Sequence, residues 1–494
     1  MSDRRDARWF ALVVLCAGML MIILDQTILN VALPAIQRDL GFSSSTLAWV
    51  VNAYLIAFGG LLLLAGRIGD LVGRRRVFVA GLAAFTVASL LCGLSTSPAM
   101  LIGARFVQGV GGALTSSVIL GMIVSMFPEP AERARAIGIY SFVAAAGGAI
   151  GLLTGGVLTQ ALSWHWVFFV NVPIGAAAVV LARRLLADER GPGLRRGADA
   201  LGGLLVTAAL MVGVYAIVGT TERGWTAPAT LALGGLALAL LAAFVVRQAR
   251  ASHPLLPLRV LRSRNVIGAN LTQMLAVAGM FGFLFLGAQY MQRVLGYDAV
   301  ETGAALVPVA VVIGALSLGL SARLNVRFGP RAVLVPGLVL VAAGLALLVR
   351  APVDARYVVD LLPVMLLLGV GVGLALPAIM SLAMSDAGPE DSGLASGLVN
   401  TTQQVGGALG LAVLATLSAS RTATLRTGGA SSAAALTGGY HAAFAVAAAL
   451  AVTATVLAVV VLRPTPAAEA AIDADAFDAA RPSAAPVVPV VDAA

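Results

Sequence analysis

Residues 24–34 read LDQTILNVALP and lie inside a long apolar stretch near the start of the chain. The only charged residue in these eleven positions is Asp25. A carboxylate in the hydrocarbon core of a bilayer is costly unless a partner or water stabilises it. The surroundings therefore predict a membrane-spanning helix, and the aspartate predicts a function within the membrane.

Composition places the whole chain in the membrane. Of its 494 residues, 60% are hydrophobic and only 11% are charged, and mean hydropathy is +0.96. Soluble proteins contain about 25% charged residues. The formal net charge is +9, which in a soluble protein would suggest nucleic acid; here membrane topology explains it, and no nucleic-acid partner is expected. Cys16 and Cys92 lie in apolar runs and predict neither a disulfide framework nor a metal site.

The chain predicts an all-α integral membrane protein with fourteen transmembrane helices, because about 20 apolar residues are needed to cross a bilayer. We number the helices α1 to α14 in chain order. Their predicted ranges are 9–33, 47–65, 77–95, 99–127, 135–160, 164–186, 199–220, 226–247, 264–289, 299–322, 332–350, 358–384, 393–419 and 440–462.

Arginine placement predicts the orientation, since cytoplasmic loops carry an excess of basic residues. With a cytoplasmic N-terminus (1–8), most of the 32 basic residues, all of them Arg, fall in cytoplasmic loops. The segment 385–392 is acidic and is the exception. The protein is expected in the plasma or inner membrane of the cell, with both termini in the cytoplasm. The Ala/Pro-rich tail, 463–494, is expected to be disordered.

Two similar basic turns indicate an internal repeat. GRIGDLVGRRR (66–76) follows α2, and ARLNVRFGPR (322–331) follows α10. Repeats of this kind are typical of two-lobed transporters. We therefore predict an N-terminal six-helix lobe (9–187), two inserted helices (199–248) and a C-terminal six-helix lobe (263–462).

A second charge lies at a matching depth. Arg105 is seven residues into α4, so it lies roughly 10 Å deep, and Asp25 lies about 24 Å along α1, which runs in the opposite direction. The two side chains are predicted to share a level of the membrane. A proton-coupling site and a structural ion pair that fixes α1 against α4 are both consistent with this spacing.

Four motifs in order resemble the major facilitator superfamily, specifically its fourteen-helix drug:proton antiporter branch of multidrug efflux permeases. LDQTILNVALP resembles the helix 1 signature of that branch, and GRIGDLVGRRR resembles the superfamily's G-x-x-x-D-x-x-G-R-K/R-R loop. RFVQGVGGA (105–113) resembles the helix 4 signature, and GLASGLVNTTQQVGGALG (393–410) resembles a helix 13 stretch. The likeness covers nearly the whole chain.

The resemblance implies roles for two further groups of residues. A conformational gate on the cytoplasmic side is implied, with Arg133 and Arg135 as candidate partners of the loop. Its residues are Gly66, Asp70, Gly73, Arg74, Arg75 and Arg76. The antiporter motif of α5 is matched by Gly138, Gly147, Gly151, Gly155 and Gly156, but Leu152 occupies the position of the motif's proline. Close helix packing alone also explains such glycines.

Polar and aromatic residues within otherwise aliphatic helices are candidates for a substrate cavity between the lobes. They are Tyr54, Phe58, Gln108, Gln273, Phe281, Phe285, Gln289, Asn400, Gln403 and Gln404. Each of them is equally consistent with helix–helix packing.

Together these features predict a proton-coupled exporter of amphipathic or cationic drugs or antibiotics that works by alternating access as a monomer. Burial favours the protonated form of a carboxyl group, whereas a nearby guanidinium favours the ionised form. Opening of the cavity changes the balance between these two effects, so Asp25 can take up or release a proton when the cavity opens. No cofactor is expected, because the sequence contains neither GxxxxGK[ST] nor HExxH. Alternatives are export of one specific secondary metabolite, proton-coupled uptake of a small metabolite and, remotely, a membrane-embedded enzyme or receptor.

Overall fold

The computed structural model describes residues 2–43, 45–187, 191, 193, 197, 199–256, 259, 263–385 and 392–463. Over these residues the chain forms fourteen long helical segments and no strand. They are α1 Ser2–Leu40, α2 Trp49–Val72, α3 Arg74–Gly93, α4 Pro98–Met126, α5 Pro130–Ala161, α6 Trp166–Leu185, α7 Ala200–Arg223, α8 Pro228–Arg250, α9 Arg264–Arg293, α10 Ala299–Ala315 continued by Ser321–Phe328, α11 Pro330–Leu348, α12 Tyr357–Met384, α13 Ser392–Thr427 and α14 Ser432–Val461. A π-helical turn, Leu316–Leu320, joins the two pieces of α10.

Local sequence explains where several helices begin. The Ser97 and Ser431 hydroxyls accept backbone N–H bonds at the starts of α4 and α14, and Asp298 and Glu301 form a reciprocal capping box on α10. The two basic turns share a break of the same kind. Gly73 (φ 116°) separates α2 from α3, and Gly329 (φ 81°) separates α10 from α11. Only glycine adopts such angles readily, which supports the repeat predicted from these turns.

Several helices are longer than predicted. The apolar run of α1 ends near residue 33, but the helix continues through Pro34 to Leu40, and it begins at Ser2, so the N-terminal segment 2–8 is helical. Likewise α13 reaches Thr427 and α14 begins at Ser432. An apolar run in the sequence identifies only the part of a helix that is buried in hydrocarbon. The polar turns that continue the helix into the membrane interface are not identified in this way. The tail 464–494 and most of the acidic segment 385–392 lie outside the described residues.

Twelve of the described helices are long and apolar enough to cross a bilayer, judged by length and composition. The two others are α5 and α10, whose apolar piece Ala299–Ala315 has 17 residues. The chain is therefore a multi-pass membrane protein. That all fourteen helices cross the membrane stays a prediction.

Helix contacts divide the chain as the repeat suggests. Within the N-terminal half, α4 packs on α2 and α3, and α1 packs on α5 and α6. Within the C-terminal half, α9 packs on α13 and α14, and α11 packs on α12 and α14. The halves meet where α2 contacts α13 and where α5 contacts α10. Small residues allow these approaches: a Cβ on Gly156 would lie 2.6 Å from the Ala299 carbonyl oxygen, and one on Gly59 would lie 2.7 Å from Gln404.

The inserted helices pack on each other, and α7 also contacts α2 and α13. Asp199, just before α7, is almost fully buried and joins the pair. Its carboxylate accepts bonds from the Gly202 N–H (3.0 Å), Arg247 Nε (3.0 Å) and Gln248 Nε2 (2.8 Å). Burial opposes ionisation, but these donors outweigh it and hold the pKa of Asp199 below its usual value. The insert is thus anchored at the end of α7 that is predicted to face the cytoplasm.

Candidate functional site

The predicted intramembrane charges form an ion pair at the centre of the N-terminal lobe. Arg105 Nη1 on α4 lies 2.6 Å from Asp25 Oδ2 on α1, and both side chains are buried, at 1% and 0% exposure. The Arg105 Nε also donates to the Val50 carbonyl oxygen on α2 (2.9 Å). A pair with these satisfied bonds is stable in a low-dielectric site, whereas either charge alone would be costly there.

Gln108 completes the network from the same face of α4, one turn after Arg105. Its Oε1 accepts from Arg105 Nη1 (2.6 Å), and its Nε2 donates to Asp25 Oδ1 (2.8 Å) and Ser89 Oγ (2.7 Å). The Asn171 amide on α6 lies 3.4 Å from the same Asp25 oxygen. Ser89 and Asn171 were not predicted. Both are lone polar residues within apolar helices, the same signal that indicated Gln108.

Aromatic rings close the network on two sides. The Arg105 guanidinium carbon lies 4.5 Å from the centre of the Tyr54 ring and 5.8 Å from that of Phe168. Phe58 stacks on Tyr54, with ring centres 5.7 Å apart. These rings add cation–π attraction and exclude water from the guanidinium.

A central cavity of about 60 Å³ adjoins this network. Its lining residues are Gln26, Thr27, Leu29, Asn30, Val51, Tyr54, Leu55, Arg105, Phe281, Leu284, Phe285 and Leu411. Both lobes contribute, as expected for a substrate route. The volume suits a few water molecules, whereas drug-sized ligands occupy pockets of about 300–1,000 Å³. The cavity must therefore enlarge before such a molecule can enter.

Only some of the residues predicted to line the substrate cavity line a cavity in the described structure. Tyr54, Phe281 and Phe285 line the central cavity, and Gln289 lines a second cavity further along α9. Gln108 does not line the central cavity in this structure, because its amide is fully buried and engaged in the ion-pair network; its assignment to the substrate cavity stays a prediction. The others lie elsewhere in α2, α9 and α13: Phe58, Gln273 and Gln404 are buried, and Asn400 and Gln403 are half-buried. The unpredicted lining residues Gln26, Thr27 and Asn30 belong to the LDQTILNVALP stretch itself.

Contacts join the lobes on the side predicted to face outward. Gln292 Nε2 on α9 donates to the Val31 carbonyl oxygen on α1 (2.9 Å), and Gln160 Nε2 on α5 donates to Asp298 Oδ2 (3.0 Å). These bonds have to break if the lobes are to part at this end.

Hydrogen bonds of the loop between α2 and α3 connect four helices, α2, α3, α4 and α6. Arg74 donates to Asp70 Oδ1 through Nε (3.2 Å) and Nη2 (3.0 Å), and through Nη1 to the Gly121 carbonyl oxygen on α4 (3.1 Å). Arg75 donates to the Arg183 carbonyl oxygen at the end of α6. Arg76 and Gly66 belong to the same stretch. The loop is thus built as a connection between helix ends.

The suggested partnership of this loop with Arg133 and Arg135 of α5 is not seen among the described residues and stays a prediction. Asp70 pairs with Arg74 and not with Arg133 or Arg135. The Arg135 guanidinium instead lies 5.1 Å from the centre of the Trp9 ring on α1. The reason is packing: α5 contacts α1 extensively and α4 only slightly, so its basic first turn faces α1.

Four of the five motif glycines on α5 are packing positions. Cβ atoms on Gly147, Gly151 and Gly155 would meet Leu20, Thr27 and Ile28 of α1, and one on Gly156 would meet α10. Gly138 does not fit this reading, because nothing lies within 4 Å of its Cβ position. Leu152, in place of the motif's proline, is buried, and its carbonyl oxygen would lie 2.3 Å from a Cβ on Gly303 of α10.

Comparisons with known proteins agree with this architecture. A family model described as Major Facilitator Superfamily matches residues 15–411. The chain is 42% identical to a puromycin resistance protein of Streptomyces alboniger (88% of this chain, 86% of the relative) and 41% identical to a cephamycin export protein of Amycolatopsis lactamdurans (83% and 85%). Among solved structures, an inward-facing bacterial homologue of the human lysosomal transporter Spinster aligns with a TM-score of 0.66 at 17% identity, over 94% of this chain and 98% of that one.

Proposed function

Because the chain belongs to the major facilitator superfamily, we propose that it is a proton-coupled exporter of amphipathic drugs or antibiotics. The observation that carries this proposal is the Asp25–Arg105–Gln108 network. It places a proton-accepting carboxylate, fully buried, beside a cavity to which both lobes contribute. The relatives named above supply the direction, since their names describe resistance and export.

The coupling mechanism follows from the geometry of the ion pair. In the closed network the Asp25 carboxyl group accepts hydrogen bonds from Arg105 and from the Gln108 amide, and such donors favour its ionised form. When the central cavity opens outward, water reaches Asp25, and a proton from the more acidic exterior can replace the guanidinium. Opening inward and re-forming the pair releases that proton to the cytoplasm. A substrate in the same cavity competes for the same space, so proton entry and substrate exit are linked.

The proposed setting is the cell membrane, with both termini in the cytoplasm and the loop between α2 and α3 on the inner side. The monomer contains both lobes and the cavity between them, so one chain suffices for alternating access. The proton gradient is the energy source, and no cofactor is assigned.

Transport in everted membrane vesicles tests this function. Respiration acidifies the lumen of such vesicles, and an antiporter then accumulates its substrate there. We expect radiolabelled puromycin, or the lipophilic cation ethidium, to accumulate in vesicles containing the protein and to leak out when an uncoupler is added. Accumulation that depends on ATP and survives the uncoupler, or proton-driven movement out of the lumen, would contradict the proposal.

A more specific proposal, that the protein exports a single secondary metabolite, can be tested in the same vesicles. The relatives include proteins named for one antibiotic each, puromycin and cephamycin, so this chain could be dedicated to a single secondary metabolite. Such an exporter would transport one compound class and leave ethidium behind. Comparing the two substrates in the same vesicles separates the dedicated exporter from the multidrug one.

We also propose that the loop between α2 and α3 is a cytoplasmic gate. Asp70→Asn removes the carboxylate that holds Arg74, and we expect a several-fold lower initial rate of vesicle uptake. Melting temperature should barely change, because an exposed pair contributes little to stability. The matched control is Glu222→Gln, an exposed acid at the end of α7. An unchanged rate in Asp70→Asn, or an equal loss in the control, would remove the gate from the mechanism.

A further inference from the structure

A second cavity, the outer cavity, has a volume of about 220 Å³ and lies between α9, α13 and α14. Its polar lining residues are Gln289, Arg293, Ser418, Thr422, Arg426 and Tyr440. It is found toward the ends of α9 and α13 that are predicted to face outward. Phe285 lines both this cavity and the central one, so the two adjoin at that ring.

The outer cavity is positively charged and lacks a compensating acid. Arg293 and Arg426 line it, while neither Asp nor Glu does so among the described residues. Arg426 is exposed, and its Nη2 donates to a neutral hydroxyl, Ser432 Oγ (2.9 Å). Arg293 is half-buried, and neither arginine makes an ion pair in the part of the chain that the structure describes. An anion bound between Arg293 and Arg426 would reduce the repulsion of two like charges that line one cavity.

A buried donor without a partner lies in the same wall. Tyr440 is 3% exposed, and its hydroxyl makes no hydrogen bond within the described structure. It lines the same cavity as Arg293 and Arg426. Buried hydroxyls without a partner are uncommon in native proteins, and they mark places where water or a ligand completes the bonding. Two guanidinium groups and a phenol are the donor set that suits a carboxylate.

Topology alone does not account for these arginines. Basic residues gather on the cytoplasmic side of membrane proteins, whereas this cluster lies at the opposite end. The cavity also adjoins the central one rather than opening only at the rim. We propose that the outer cavity binds the carboxylate of an amphipathic molecule on its way out. This inference rests on the proposed export function, and it adds amphipathic compounds that carry a carboxylate to the substrate class.

The test is a binding measurement without a proton gradient. Purified protein in phosphatidylcholine nanodiscs is titrated with dansyl-phenylalanine and with its carboxamide, which differ only in the carboxylate. We expect the acid to bind roughly tenfold more tightly, the effect of about one charge-assisted hydrogen bond. Arg293→Gln and Arg426→Gln should each remove most of that preference, and Tyr440→Phe should reduce it about threefold.

The matched control is Arg421→Gln, an exposed arginine on the same helix as Arg426 that does not line the cavity. It should keep the full preference. Equal affinity for acid and amide in the wild type, or equal loss in Arg421→Gln, would overturn the proposal. If Arg293→Gln does not fold, the Arg426 and Tyr440 variants decide the outcome.

Two further arms identify the source of the anion. Loss of the preference in phosphatidylglycerol nanodiscs would assign the cavity to a lipid headgroup. Displacement by sodium acetate as effective as displacement by N-acetylphenylalanine would assign it to small free anions. Either result contradicts the substrate assignment. Carboxylate preference in a protein without proton-driven transport would contradict the export function alone, and transport without the preference would contradict only the cavity.

Discussion

Replacing Asp25 with asparagine is expected to abolish proton-driven accumulation in everted vesicles while leaving the protein folded in the membrane. Asparagine keeps the size of the side chain and one oxygen that can accept from Arg105, but its amide nitrogen is a donor and cannot accept from Gln108, and the side chain cannot take up a proton. Uptake by the variant should therefore fall to that of vesicles treated with an uncoupler.

Two controls separate lost coupling from lost structure. Asp354→Asn makes the same chemical change in an exposed loop and should transport as the wild type does. Exchange of labelled for unlabelled substrate across the membrane needs no proton movement. The Asp25→Asn variant should therefore still exchange substrate, and the exchange rate should no longer depend on pH. Normal proton-driven accumulation by Asp25→Asn would show that the carboxylate serves structure only.

The pairing of Asp25 with Arg105 could be predicted from the sequence because depth in a membrane depends only on residue counts. Each helix advances 1.5 Å per residue from an end that the loops identify, so two charges on antiparallel helices can be assigned to one level. The helices themselves were predictable for a similar reason, since a bilayer requires long apolar runs. The polar residues near Asp25 that line the central cavity, Gln26, Thr27 and Asn30, could also have been predicted, because they belong to the same LDQTILNVALP stretch.

The direction in which a side chain points was not predictable in the same way. α2 and α4 are apolar on all sides, so no hydrophobic stripe shows which face meets a neighbour and which meets the cavity. Gln108 was for this reason assigned to the substrate cavity, although it lies within the ion-pair network. The outer cavity is not evident from the sequence, because Arg293 on α9 is far in sequence from Arg426 and Tyr440 on α13 and α14.

Removing Arg105 is expected to have the largest effect on stability. Arg105→Met fills a similar volume but leaves the Asp25 carboxylate buried without its cation. Breaking a buried pair in this way costs about 3–5 kcal/mol. The variant should show a strongly lowered melting temperature when a fluorescent fusion is heated in detergent and analysed by size-exclusion chromatography. Arg350→Met, at an exposed position just after α11, should melt as the wild type does.

The double variant Asp25→Asn/Arg105→Met distinguishes the charge from the packing. Without either charge no ion is left unpaired, so most of the lost stability should return, since neutral replacements of buried pairs are often tolerated. Proton-driven transport should stay absent, because no titratable group remains in the network. A double variant as unstable as Arg105→Met would show that the bonds of Arg105 to Val50 and Gln108, and its stacking on Tyr54, dominate instead. A double variant that is stable and still accumulates substrate would place proton coupling outside this site.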